Sequence, residues 1–165
     1  TPGRFPKVEV FELPFVSHKK AIVNCRAVQE FSEKHLRDEF RQERPRRAIL
    51  VGDLNVAPGE DDVWSHKQML KIVSHTPVEV DHLLAAQDAG KWVDVTRQDI
   101  PAGLLYSWWS YRARDWDAAD KCRRLDHVWA SPDIANAAHA SRILRPCRGW
   151  DQPSDHVPVL ASFDL

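Results

Sequence analysis

The sequence contains no apolar run approaching the roughly 20 residues a membrane-crossing helix requires, so no transmembrane helix is expected. No signal-peptide pattern follows Thr1, and because the first residue is not Met we expect a processed chain or a fragment of something longer. Cysteine is scarce: Cys25, Cys122 and Cys147 are odd in number, far apart and form no CxxC pair. That argues against a disulfide framework or a structural zinc site and for a reducing, cytoplasmic compartment. The eight histidines show no HExxH spacing. Charge of one sign is lacking too, since 23 Lys+Arg against 24 Asp+Glu leaves a formal charge of -1. Bulk charge therefore argues neither for nor against nucleic acid, and only a local basic surface could do so. There is no internal repeat and no low-complexity tract.

What is present suits one soluble domain. The 165 residues, 43% hydrophobic and 28% charged, can bury a real core. Val28, Phe31, Leu36 and Phe40 recur at near-helical spacing, which predicts a helix over 27–42 closed by Pro45. Ala48-Ile49-Leu50-Val51 is a short continuous apolar run and reads as a buried strand. Residues 62–73 look helical. A second helix has a start signal in Thr76, Pro77 and Glu79, an apolar side in Leu83, Leu84 and Ala86, and a stop at Gly90. Beyond it the pattern predicts a short strand at 92–96, a loop at 99–103 and an aromatic strand at 106–111. An irregular charged loop at 112–123 and a strand at 124–130 follow. Ser131 and Pro132 open a short helix. A short strand at 143–144, a loop at 148–156 and a final strand at 157–163 complete the chain. Alternating helices and strands give an α/β or α+β layered protein.

Three polar knots interrupt the apolar strands: Asp53 with Asn55, Asp126-His127, and Ser154-Asp155-His156. Singly, each is an ordinary turn or a satisfied structural polar group. Together they supply carboxylates for a hard divalent ion, an amide able to hold a phosphate oxygen, and a His with an Asp partner. Magnesium takes few carboxylates and uses substrate phosphate as a further ligand, while an oriented His takes or holds a proton near neutral pH. This is a kit for metal-assisted attack of water on a phosphodiester.

Four ordered motifs carry a resemblance. Gly52-Asp53-Leu54-Asn55-Val56-Ala57-Pro58, Tyr106-Ser107-Trp108-Trp109-Ser110-Tyr111, Arg124-Leu125-Asp126-His127 and Pro153-Ser154-Asp155-His156-Val157-Pro158-Val159 follow one another at fitting intervals. They resemble the exodeoxyribonuclease III branch of the endonuclease/exonuclease/phosphatase family, bacterial abasic-site endonucleases and 3′-exonucleases. The resemblance covers about residues 48–163. Segment 1–47 is expected to be an unmatched N-terminal stretch with a helix, and 48–165 the C-terminal part of a family domain. The implied fold is the C-terminal part of a four-layered αββα sandwich with mixed β-sheets.

The resemblance also implies roles. Asp53 positions or deprotonates the attacking water, Asn55 holds the scissile phosphate, His156 contacts that phosphate or serves as base, and Asp126 orients His156. Asp155, with Asp53 and Asn55, is expected to contact Mg2+, or Mn2+ in its place. Trp108 matches the aromatic set against a flipped-out abasic sugar, a base-less group suited to a tight apolar pocket. One of Trp108 and Trp109, on alternate faces of a strand, is expected to be plain core. Arg112, Arg114, Lys121 and Arg123 are placed to neutralise phosphates of duplex DNA, giving affinity rather than sequence preference. The family's Asn-x-Asn-Gly and Tyr-x-Pro-Asn-Gly-like elements do not occur before Ala48, and the Gln-Glu pairs there, Gln29-Glu30 and Gln42-Glu43, are not matched to the element whose Glu is the family's principal metal ligand. The expected activity is a Mg-dependent DNA repair nuclease acting at abasic sites and 3′ ends. Two alternatives stand beside it: a family phosphatase on a small phosphoester, and a non-catalytic fragment that binds DNA or a partner.

Overall fold

The computed structural model describes residues 9–12, 47–119 and 121–164. The helix expected over 27–42 and Cys25 lie outside the described residues. Along the chain, β1 (Glu9–Glu12) is followed by β2 (Ala48–Asp53), then a 3-10 turn at Glu60–Asp62 and the single turn α1 (His66–Met69). Next come α2 (Pro77–Ala89), β3 (Val93–Asp94) and α3 (Val95–Asp99). The second half holds β4 (Trp108–Trp109), α4 (Trp116–Ala119), β5 (Cys122–Arg123) and β6 (Asp126–Ala130). It closes with α5 (Pro132–Ala135), β7 (Ala138–Ile143), a 3-10 turn at Arg145–Gly149 and β8 (Val159–Phe163).

The central sheet is mixed, in the order β1-β2-β6-β3, with β1 parallel to β2 and the other pairs antiparallel. Because side chains alternate along a strand, β2 has two apolar faces. Ala48 and Leu50, with Trp129 of β6, pack against Leu83 and Ala86 of α2 and against Trp92. Ile49 and Val51, with Val128 and Ala130, pack instead against Ala138 of β7 and Val159, Ala161 and Phe163 of β8. The layers are thus helix, mixed sheet and β7–β8 ribbon, an α/β arrangement consistent with part of a layered sandwich.

A second small sheet positions the site. Trp108 and Trp109 pair with Arg123 and Cys122, and on the other side the Trp109 N–H donates to the Asp155 carbonyl (2.9 Å). The Val157 N–H donates to the Ser107 carbonyl at 2.8 Å, so residues 155–157 run as a further strand beside β4.

Several local expectations are corrected. Segment 62–73 is helical only at His66–Met69. The aromatic strand shrinks to Trp108–Trp109, and the loop at 112–123 contains α4 and β5. Residues 92–96 give two strand residues, because the Asp94 side chain accepts the Arg97 N–H (3.1 Å) and caps α3 at once. Helix α2 starts as its capping box foretells, with Glu79 accepting from the Thr76 N–H and hydroxyl at 3.0 and 2.7 Å. Leu84 is exposed rather than part of its apolar side. Gly90 ends α2 without a left-handed turn, at φ -84, and Lys91 takes the positive φ (51). Glycine is needed at 90 for space: a Cβ there would sit 2.2 Å from Nε1 of Trp92.

Candidate active site

Register brings the first two carboxylates together. Asp53, the last residue of β2, lies directly opposite Asp126, the first of β6. Both share the face of the sheet occupied by Ile49, Val51 and Val128, since they lie an even number of residues from them. His156 arrives on the strand-like segment beside β4. Its Nδ1–H donates to Asp126 Oδ2 at 2.8 Å, and its Nε2 faces Asp53 Oδ2 at 3.7 Å. Ser107, fully buried, donates its hydroxyl to the same Asp126 oxygen (2.6 Å) and accepts the Leu125 and Asp126 N–H groups (3.0 Å each). The result is a chain Ser107–Asp126–His156–Asp53 in which each group fixes the next.

Asn55 follows Asp53 by two residues and holds a left-handed backbone, φ 56. Asn adopts this conformation more readily than most residues. Its N–H donates to Asp53 Oδ1 at 2.9 Å, which ties the two functional groups of the loop together. Among the described residues its side-chain amide has no hydrogen-bond partner.

Burial raises the Asp53 carboxyl above its ordinary value, the charge of Asp126 adds to this, and His156 only partly offsets it. For His156, burial works against the cation, but the hydrogen bond and charge of Asp126, with help from Asp53 and Asp155, hold its basicity above the usual value. A neighbouring pair with both affinities raised is suited to sharing or moving a proton near neutral pH.

The other expected residues are placed as follows. Asp155 turns one oxygen to the Trp108 indole N–H at 3.0 Å. Trp108 is 8% exposed, packed among Ala57, Val63, Met69 and Leu125, and Trp109 is buried in the neighbouring cluster with Cys122 and Val157. Arg112 and Arg114 are exposed, as is Lys121, whose ammonium sits over the Trp64 ring (5.4 Å). Arg123 differs: its guanidinium lies over the Trp108 ring (4.9 Å) and donates to the Val73 carbonyl and the Ser74 hydroxyl (3.2 and 3.0 Å).

A profile of the Endonuclease/Exonuclease/phosphatase family matches residues 3–156. The chain belongs to this family. It is similar to exodeoxyribonuclease III of Haemophilus influenzae, 26% identical over 98% of this chain and 60% of that protein. In structure it is similar to a 3′ phosphatase from Neisseria bound to a product DNA hairpin, with a TM-score of 0.79 and 28% identity over 94% of this chain and 61% of the other. It also shares the fold of an AP endonuclease from Archaeoglobus fulgidus, with a TM-score of 0.79 and 23% identity over 96% of this chain and 62% of that one. The chain therefore spans less than two thirds of each of these relatives.

Among the described residues of this family member, one group of three side chains could hold a metal ion: ligand atoms of Asp53, Asp126 and His156 lie within 4.8 Å of one another. The donor chemistry fits a hard cation on its oxygen side. Two carboxylates face each other across a strand pair, and burial disfavours the anion of Asp53, which a cation would relieve. His156 has Nδ1 committed to Asp126, which leaves Nε2 as its ligand atom.

Two features escaped the sequence. Ser107 sits inside a quoted motif, yet a lone Ser before an aromatic pair gives no sign of serving Asp126. The second is a buried charge network. Arg124, only 1% exposed, grips Asp62 with Nε and Nη2 (2.7 and 2.9 Å) and Asp94 with Nη1 (2.7 Å), and Arg97 adds a further bond to Asp62. In the sequence Arg124 follows Lys121 and Arg123 closely, and such a basic run gives no sign of burial. Only its strand position, two residues before Asp126, hinted that it points inward.

Proposed function

We propose that this chain carries the catalytic face of a DNA repair nuclease that hydrolyses phosphodiesters at abasic sites and 3′ ends of duplex DNA. The observation that carries the proposal is the chain Ser107–Asp126–His156–Asp53 with Asn55 beside it. Asp126 holds His156 in the tautomer with its proton on Nδ1, so that Nε2 faces the reacting group. Asp53, which faces His156 Nε2 at 3.7 Å, orients the attacking water and takes its proton. The Asn55 amide donates to a non-bridging phosphate oxygen. A magnesium or manganese ion held at Asp53, with Asn55 two residues on and Asp155 next to His156 in the chain, would supply Lewis-acid stabilisation of the developing charge. Arg112, Arg114 and Lys121 meet the phosphate backbone, whereas Arg123 braces Trp108. Trp108 forms a wall for the base-less sugar. Because it is also packed, Trp108→Phe is the variant that separates lesion recognition from folding.

The similarity to a DNA 3′ phosphatase favours a second reaction of the same residues, hydrolysis of a terminal 3′ phosphate. The test uses the full-length protein with magnesium, one duplex carrying a single abasic-site analogue and another ending in a 3′ phosphate. Incision 5′ to the lesion is expected, and Asp53→Asn is expected to slow it by about 10²–10⁴-fold. Phosphate release without incision would leave only the second reaction, and neither product would refute the proposal.

A further inference from the structure

The loop after Asp53 is held by an arrangement that the reaction does not itself require. The Val56 carbonyl lies 2.8 Å from His127 Nε2, and the next carbonyl, Ala57, lies 2.6 Å from His75 Nδ1. Both histidines are buried, at 1% and 2% exposure. A carbonyl only accepts, so the proton must be on Nε2 of His127 and on Nδ1 of His75. Each ring is also held from its far side. His75 Nε2 then accepts from Nδ1 of His66 at 2.8 Å, and His127 Nδ1 faces Nη1 of Arg124 at 3.3 Å. Two further loop groups are tied as well: Leu54 N–H to the Leu125 carbonyl (2.9 Å) and Ala57 N–H to the Ser74 carbonyl (2.8 Å).

Asn55 is the loop residue with a left-handed backbone, and it precedes both gripped carbonyls. Such a conformation persists when its surroundings over-determine it. Among the described residues its amide has no hydrogen-bond partner, so within them the backbone position of Asn55 is what fixes where that amide starts from. We propose that His75 and His127 are positioning residues that aim the Asn55 amide by clamping the two carbonyls that follow it. The inference rests on the proposed role of Asn55 and adds the device that orients it. His66, with 40% of its side chain exposed, is the outer end of the His75 arm.

The test compares, in the full-length protein, His75→Phe and His127→Phe with His75→Asn and His127→Gln. Phe keeps ring volume and loses the donor, whereas Asn and Gln retain an N–H near the required place. Misplacement by about 1 Å can cost on the order of 10²-fold in rate. We expect each Phe variant to lower kcat on the abasic duplex by about 10- to 100-fold with KM little changed, and the Asn and Gln variants to recover most of it. Combining His75→Phe with Asn55→Ala should be no slower than Asn55→Ala alone. Amide hydrogen exchange gives a readout free of activity: Asn55 and Ala57 should exchange at least about tenfold faster in the Phe variants while Leu50 in β2 stays protected. Should a Phe variant fail to fold, His66→Ala at the exposed end should accelerate exchange at Ala57. Unchanged exchange at both amides, or a kcat loss that adds fully to that of Asn55→Ala, overturns the clamp. If the unaltered protein cleaves no DNA, the proposed function falls and the exchange result still decides the clamp.

Discussion

Asp126 is held by two donors, the Ser107 hydroxyl and His156 Nδ1, and it meets Asp53 across the register of β2 and β6. Both donors reach the same oxygen, Oδ2, so Ser107 holds in place the carboxylate that orients His156. The raised proton affinity of His156 has a stability consequence with a definite sign. A group that binds protons more tightly when folded stabilises the fold fully below its ordinary value, 6.5, and loses that contribution as pH rises through its higher folded value. In metal-free buffer, His156→Gln should therefore melt well below the unaltered protein in mildly acidic solution. The gap should narrow as pH rises above neutrality, as followed by thermal denaturation. A gap that widens with pH would reverse the assignment. Asp53, Asp126 and His156 stood out in the sequence because polar knots interrupt otherwise apolar strands and follow one another in an ordered set of motifs. The partner of Asp126 was not, because nothing about a single Ser shows which carboxylate it faces.

At the level of elements, the apolar run of β2 and the capping box of α2 were readable because each rests on local chemistry. The failures share a cause. Residues 62–73 have a mixed pattern, but the segment is committed to other partners: the Asp62 side chain accepts the Gly59 N–H at 2.8 Å and the guanidinium of Arg124. Residues 122–123 look like loop until Trp108 and Trp109 supply a pairing edge. Both are tertiary decisions, invisible to spacing. Arg124 joins the start of β6 to the 3-10 turn and to β3. Removing it leaves Asp62 and Asp94 buried without their main partner, so Arg124→Met should cost about 3–5 kcal/mol in urea unfolding. A cost under about 1 kcal/mol would show the network is not needed. Gly90→Ala should cost about 1–3 kcal/mol by forcing the Trp92 ring out of its place, measured the same way. An Ala variant as stable as the parent would mean the ring relocates freely.

Across the whole molecule, the two sheets converge at one end. β2 and β6 deliver Asp53 and Asp126, and the small sheet delivers His156 and, through Ser107, its support. The expected layered α/β class is observed as helix, mixed sheet and ribbon, because alternation along β2 and β6 gives each face its own apolar set. Among the described residues no helix is long and apolar enough to cross a membrane. The near-neutral net charge carries no sign of nucleic acid, and only the basic residues after the aromatic strand point to it. If Arg112, Arg114 and Lys121 each neutralise a phosphate, replacing any one by Ala should weaken duplex binding and reduce the slope of log affinity against log salt by about 1. An unchanged slope for all three would move the DNA track elsewhere.

The most direct test of the convergent site is single-turnover cleavage of an abasic-analogue duplex by the full-length protein and by Asp53→Asn, His156→Ala, Asp126→Ala and the His156→Ala/Asp126→Ala pair. The account predicts losses of about 10²–10⁴-fold in rate for each, DNA affinity little changed, and a pair no slower than His156→Ala alone. Rates near those of the unaltered protein, or losses that multiply in the pair, would contradict it.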